Sequence, residues 1–140
     1  MVIGIWRLRE GLKCITLDLR KSKGQEIFCA FAQKVDLVIE NYKPGTMKGW
    51  GLGYSDIKKV KPDIIYTSVS GFGQYGPYHH LPGYDTVGQA MGGLMHINGY
   101  PENPPTRIGN AMVDNITGWQ AAFATYLKHC QSDLIHGSES

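Results

Sequence analysis

The sequence has little cysteine and none of it is paired. Cys14, Cys29 and Cys130 are odd in number and widely spaced, with no C-x-x-C. That excludes a disulfide scaffold and a cysteine-based zinc site, and makes a reducing cytoplasm the expected location. Charge of one sign is also scarce. Fourteen basic against 12 acidic residues leave a net charge of +2, scattered along the chain, so no nucleic-acid partner is expected. No apolar run approaches the roughly 20 residues that span a bilayer, and no membrane association is expected. Met1 to Arg7 lacks the layout of a signal peptide. The five histidines, His79, His80, His96, His129 and His136, form no H-x-x-x-H and pair with no acid at ligand spacing, so no metal site is predicted. G-x-S-x-G is absent, and Ser70, Asp85 and His96 make no triad by sequence order alone.

What is present reads as one globular domain. The chain has 140 residues, 42% hydrophobic and 19% charged. Its 18 glycines follow no Gly-X-Y period and point to tight turns and close backbone approaches. Cys14 to Leu19 alternates apolar and polar residues and predicts a short strand. Lys23 to Lys34 places Ile27, Phe28, Phe31 and Ala32 at helical spacing, with Cys29 packed in that helix. Leu37-Val38-Ile39 reads as a buried strand and Asn41 to Gly45 as a loop. Tyr54 to Val60 predicts a helix, with Ser55 as its N-cap, lysines near its end and Pro62 stopping it. Ile64 to Ser70 is a further strand. Gly83 to Leu94 is small and glycine-rich, Pro101 to Pro105 is a loop, and a last helix runs from about Asp114 to His129. Ile116, Trp119, Phe123, Tyr126 and Leu127 share one of its faces.

This order predicts an α/β fold, a Rossmann-like parallel sheet flanked by helices. Ligands of such sheets bind beyond the carboxyl ends of the strands, here at the loops beginning at Asn41 and Gly71. Gly71-Phe72-Gly73-Gln74-Tyr75-Gly76 matches G-x-G-x-x-G, but Pro77 to Gly83 follows where a dinucleotide site needs a helix to open. A glycine turn is the better reading. Asp114 follows small, apolar residues and precedes a helix, so spacing favours an N-cap. A nucleophilic carboxylate is compatible with that position, because the helix dipole favours its ionised form.

Several motifs stand together in register: Glu40 to Met47, Gly51-Leu52-Gly53-Tyr54, Pro62 to Tyr66, Ser70 to Pro77, Gly83-Tyr84-Asp85, Gln89-Ala90-Met91 and Pro105 to Gly118. Together they resemble the family III CoA-transferases, the CaiB/BaiF group, over about residues 11–128. Formyl-CoA transferase, carnitine CoA-transferase and the related α-methylacyl-CoA racemase belong to this group. The resemblance implies that CoA moves from an acyl-CoA donor to a carboxylic acid acceptor through an aspartyl mixed anhydride and an aspartyl-CoA thioester. CoA enters as a thioester substrate, with no permanently bound cofactor. The nucleophile's small-x-x-Asp-x-x-x-Gly setting is matched by Ala111 to Gly118, which gives that role to Asp114.

The resemblance places CoA contacts at Leu17 and Arg20, at Asn41, Tyr42 and Lys43, and at Leu81 and Tyr84. Arg20 and Lys43 are the basic residues for phosphates; solvated surface charge is the alternative for each. Racemase relatives carry His where Tyr84 stands. A phenol, with an ordinary pKa of about 10, exchanges α-protons poorly at neutral pH, which favours the transferase. Gly49 and Leu12 replace residues that are often basic in the family, and Lys48 is placed to compensate for the first. Members of the family are much longer and form interlocked dimers. Met1 to Glu10 does not match their opening unit, and the resemblance ends after Lys128. The expectation is one partial domain over residues 1–140, incomplete relative to the family fold. A catalytically silent chain that binds CoA or a partner chain is the alternative from another class.

Overall fold

The computed structural model describes residues 11–136. Met1 to Glu10, which the sequence reading set apart from the family's opening unit, lies outside the described residues. In chain order the elements are α1 (Ser22–Ala32), β1 (Leu37–Glu40), α2 (Thr46–Gly49), α3 (Tyr54–Val60), β2 (Ile65–Ser68), α4 (Asp85–Met91) and α5 (Met112–His136). β1 and β2 pair in parallel, with Leu37 opposite Ile65 and Glu40 opposite Ser68. The structure is thus a mixed α/β fold, a small parallel sheet flanked by helices.

Side chains alternate across the paired strands, which sorts them onto two faces. Val38 and Tyr66 turn to the core formed by Ala32, Met47, Leu52, Ile57 and Ile64, between α1, α2 and α3. Thr67 turns the other way and meets Thr125 of α5, Oγ1 to Oγ1 at 2.7 Å. Thr125 donates its own proton to the Ala121 carbonyl at 2.7 Å, so Thr67 is the donor between the two hydroxyls. α5 packs on β2 and on α4. Among the described residues β1 lacks such a helical cover on this side, and Ile39 is 56% exposed.

Three expectations are corrected. Cys14 to Leu19 forms no strand: alternation describes a pleated segment, but a strand also needs a ladder partner, and none pairs with it among the described residues. Ser55 does not cap α3. Gly53 holds the cap position and Ser55 lies inside the first turn. The final helix begins earlier and ends later than 114–129, because nothing breaks it before His136. Its shared face is real, but it is uncovered. Trp119 is 81% and Phe123 65% exposed, with Ile116, Tyr126 and Leu127 also open.

Tyr66 donates to the carbonyl of buried Leu52 at 3.0 Å. Burial, helped by the nearby carboxylates of Glu40 and Asp56, raises its hydroxyl from 10.0 to about 12. The folded chain therefore holds this proton more tightly than the unfolded chain does. Its contribution to stability is complete below pH 10 and is lost as pH rises towards 12. Urea unfolding across this window is expected to show falling stability, and Tyr66→Phe to flatten that fall. An unchanged slope in the variant would assign it to other groups.

Candidate active site

The carboxyl ends of β1 and β2 are tied together before the loops diverge. Asn41 donates its side-chain amide to the Val69 carbonyl at 2.7 Å, and Val69 N–H reaches the Glu40 carbonyl at 2.9 Å. Glu40 turns its carboxylate onto the Tyr42 N–H at 2.8 Å, and the Tyr42 ring meets Trp50 edge-on at 5.3 Å. These contacts set the first wall of a cleft.

The second wall is a backbone crossing. Gly71, just after β2, lies against Gly83, just before α4; a Cβ on either would fall within the other's backbone. Gly73 and Gly76 take positive φ of 77° and 96°, and residues 71–81 are a run of turns and bends in which no helix opens. This is the glycine turn expected from the sequence, and it lets two loops approach without side chains between them.

The third wall is helical. The sequence does not predict α4, since Gly88 at its centre and β-branched Thr86 and Val87 weaken local helix propensity. Its glycine has a tertiary reason: a Cβ at Gly88 would sit 2.7 Å from Val113 Cγ1 of α5. α4 and α5 therefore cross closely. Asp85 opens α4 and accepts from the Val113 N–H at 2.9 Å and the Asp114 N–H at 3.4 Å. The N-cap reading of Asp114 is corrected accordingly. The helix starts at Met112, Asp114 is its third residue, and the carboxylate that satisfies the free amides comes from Asp85. Relieved of capping, the exposed Asp114 carboxylate accepts no hydrogen bond and joins no ion pair among the described residues.

Together these walls enclose a cleft of about 550 Å³. Asn41, Tyr42, Lys43, Leu81, Tyr84 and Asp114 all line it, brought together from three separate segments. Lys43 and Asp114 are the charged residues of its lining. The N-terminal end of a 25-residue helix adds a partial positive charge beside Asp114. Leu17 and Arg20 are not in this lining. Arg20 instead holds Asp18 in a two-point pair, Nε to Oδ1 at 2.9 Å and Nη2 to Oδ2 at 3.1 Å. This guanidinium keeps the Asp18 carboxyl below its usual range. Gly24 lets the start of α1 lie directly on the Asp18 carbonyl.

The sequence reading passed over the structural role of Asp85 and the lining positions Val87, Val113 and Thr117. One signal was available. Asp85 and Gln89 are four apart, a helical spacing, in a segment read only as small and glycine-rich.

Comparison with known proteins meets this geometry. The family described as CoA-transferase family III matches residues 7–133. The chain is 44% identical over 115 residues to succinyl-CoA–D-citramalate CoA-transferase of Chloroflexus aurantiacus, covering 82% of this chain and 29% of that protein. It is 40% identical over 111 residues to acetyl-CoA:oxalate CoA-transferase of Acetobacter aceti, with 79% and 28% covered. A crystal structure of a CaiB/BaiF family protein from Brucella suis superposes with a TM-score of 0.83 at 37% identity, covering 88% of this chain and 32% of that one. The chain thus spans about three tenths of the length of these relatives. Sequence and fold agree over nearly all of the described residues, and the chain belongs to CoA-transferase family III.

Proposed function

We propose that this chain carries the nucleophile and part of the CoA site of a CoA-transferase, with Asp114 attacking the donor thioester. The observation that carries the reading is the placement of Asp114. Its carboxylate is free of capping, stands on the first turn of a long helix, and lines a cleft at the carboxyl ends of parallel strands. The names of the relatives, which act on succinyl-CoA with citramalate or on acetyl-CoA with oxalate, support a carboxylic acid as the acceptor.

The chemistry follows from a carboxylate nucleophile. An Asp114 oxygen adds to the thioester carbonyl, the carbon–sulfur bond breaks and CoA leaves as thiolate, giving a mixed anhydride. The thiolate then adds to the aspartyl carbonyl. The anhydride carbon–oxygen bond breaks, the donor acid departs as carboxylate and an aspartyl-CoA thioester remains. The acceptor carboxylate attacks that carbonyl and again expels thiolate. Attack of the thiolate on the acceptor's acyl carbon releases the new acyl-CoA and restores Asp114. No proton is gained or lost in the cycle. Amide donors are needed where each oxyanion develops, and the closely crossed loops at Gly71 and Gly83 bring backbone to the cleft for that purpose.

Lys43 is the cationic side chain of the cleft lining and the proposed phosphate partner; Asn41, Tyr42, Leu81 and Tyr84 form the surrounding contact surface. The family resemblance adds Leu17 and Arg20 as CoA contacts outside this cleft. Tyr84, standing where a racemase has His, supports acyl transfer over α-proton exchange.

The test is chemical trapping. After incubation with succinyl-CoA, hydroxylamine is expected to convert the activated Asp114 carboxyl into a hydroxamate, located by peptide mass spectrometry. A folded chain that binds CoA but yields no hydroxamate would leave only the binding role. Exchange of an α-proton with solvent, without acyl transfer, would point to the racemase.

A further inference from the structure

The side chain buried beside the cleft is an amide. Gln89, on α4, is 0% exposed and does not line the cleft, yet every polar position of its side chain is used. Its Oε1 accepts from the Ile108 N–H at 2.9 Å. Its Nε2 donates to Asp85 Oδ2 at 2.6 Å, and its remaining proton is shared between the carbonyls of Ile108 at 3.4 Å and Asn110 at 3.3 Å. These contacts lead to one place. Asp85 Oδ1 holds the N–H groups of Val113 and Asp114, while Ile108 and Asn110 belong to the backbone that enters α5.

From this geometry we infer that Gln89 is a positioning residue for Asp114. It fixes the entry of α5 from two directions, by gripping residues 108–110 and by orienting the Asp85 carboxylate that caps the helix. A glutamine suits the task because a neutral amide supplies both a donor for Asp85 and an acceptor for Ile108. Buried polar groups so fully satisfied make the local backbone unique, since any shift leaves one of them unpaired. The effect on chemistry is geometric: a nucleophile displaced by about 1 Å loses on the order of a hundredfold in rate. The inference rests on the assignment of Asp114 as nucleophile.

Two variants test it, each checked for folding by circular dichroism. Gln89→Met keeps the volume and removes both hydrogen-bonding functions. Its capture of acyl groups from succinyl-CoA, read as hydroxamate at Asp114, is expected to slow by about 10- to 100-fold in kcat. KM is expected to stay within about twofold, because Gln89 does not line the cleft. Gln89→Glu gives the discriminating readout. As a carboxylate it cannot donate to Asp85; once protonated, it can donate to Oδ2 while still accepting from Ile108. The charged groups here are Asp85 on α4, Asp114 on the first turn of α5, and Arg107, whose Nη1 lies 3.5 Å from Thr86 Oγ1. Relative to the unaltered chain, the rate of Gln89→Glu is expected to recover as pH falls, a response that mere core filling would not produce. If the unaltered chain forms a hydroxamate and folded Gln89→Met matches its kcat, the positioning role is wrong and the nucleophile stands. Should Gln89→Met not fold, a Gln89→Glu pH profile parallel to that of the unaltered chain overturns it equally. If the unaltered chain forms no hydroxamate at Asp114, the nucleophile assignment fails and takes this role with it.

Discussion

Asp114→Asn is expected to lower hydroxamate capture from acyl-CoA by on the order of a thousandfold or more while leaving the fold intact. The two effects separate because of where the side chain stands. An amide is isosteric with the carboxylate but is a far weaker nucleophile towards a thioester, so the first bond of the cycle does not form. The structure asks little of the carboxylate itself. It is exposed, accepts no hydrogen bond among the described residues, and leaves capping of α5 to Asp85. Only its favourable interaction with the helix dipole is lost, about 0.3–1 kcal/mol. Had Asp114 been the N-cap, the same change would have been tolerated for another reason, since asparagine caps as well as aspartate. Asp114→Ala gives the complementary comparison: it removes the proposed nucleophile and, since Asp85 does the capping, is expected to cost no more than the same dipole interaction, about 0.3–1 kcal/mol. Comparable hydroxamate yields from the variants and the unaltered chain would place the acyl acceptor on another group.

The second large effect is on the architecture of the cleft. Gly71→Ala is expected to destabilise the chain by about 2–3 kcal/mol and to weaken CoA binding in parallel. A methyl group at Gly71 meets the backbone of Gly83, not the end of a flexible side chain, so one loop must move away from the other. Both glycines line the cleft, and Leu81 and Tyr84 are carried by the loop that would move. Gly49→Ala is the matched control. Gly49 ends α2 with open space around its missing side chain and no positive φ, so alanine there is expected to be neutral or slightly stabilising. Thermal unfolding compares the two directly. Equal midpoints would show that the loops at Gly71 and Gly83 separate freely, contrary to the close crossing described above.

The sequence reading and the structure agree where a local rule suffices. The runs at Leu37 to Ile39 and Ile64 to Ser70 contain the strands Leu37–Glu40 and Ile65–Ser68, because Val and Ile suit an extended pleat; the first ends where Asn41 begins a loop and the second stops two residues short of Gly71. Tyr54–Val60 is helical between a glycine and a proline boundary, as read. They part where a distant segment decides. Cys14 to Leu19 alternates like a strand, yet pairing needs a neighbouring edge. α4 is helical across Gly88 because Val113 packs where a side chain would have been. Asp114 has the sequence setting of a cap, and Asp85, 29 positions earlier, takes that role.

By itself, then, the sequence determined the α/β class and the approximate positions of both strands, because each depends on residue type and near-neighbour spacing, and its motifs in register marked the family; the nucleophilic role of Asp114 is what that resemblance implies, since spacing alone favoured a cap. Only the tertiary structure decided that Asn41, Tyr42, Lys43, Leu81, Tyr84 and Asp114 share one cleft while Leu17 and Arg20 stand outside its lining. It also decided that the apolar stripe on α5 lies open and that Gln89 lies buried behind the helix start. The physical reason is common to all of these. Periodicity tells which side of an element is apolar, whereas which neighbour covers that side, and which distant carboxylate reaches a free amide, depends on chain crossings that local spacing does not encode.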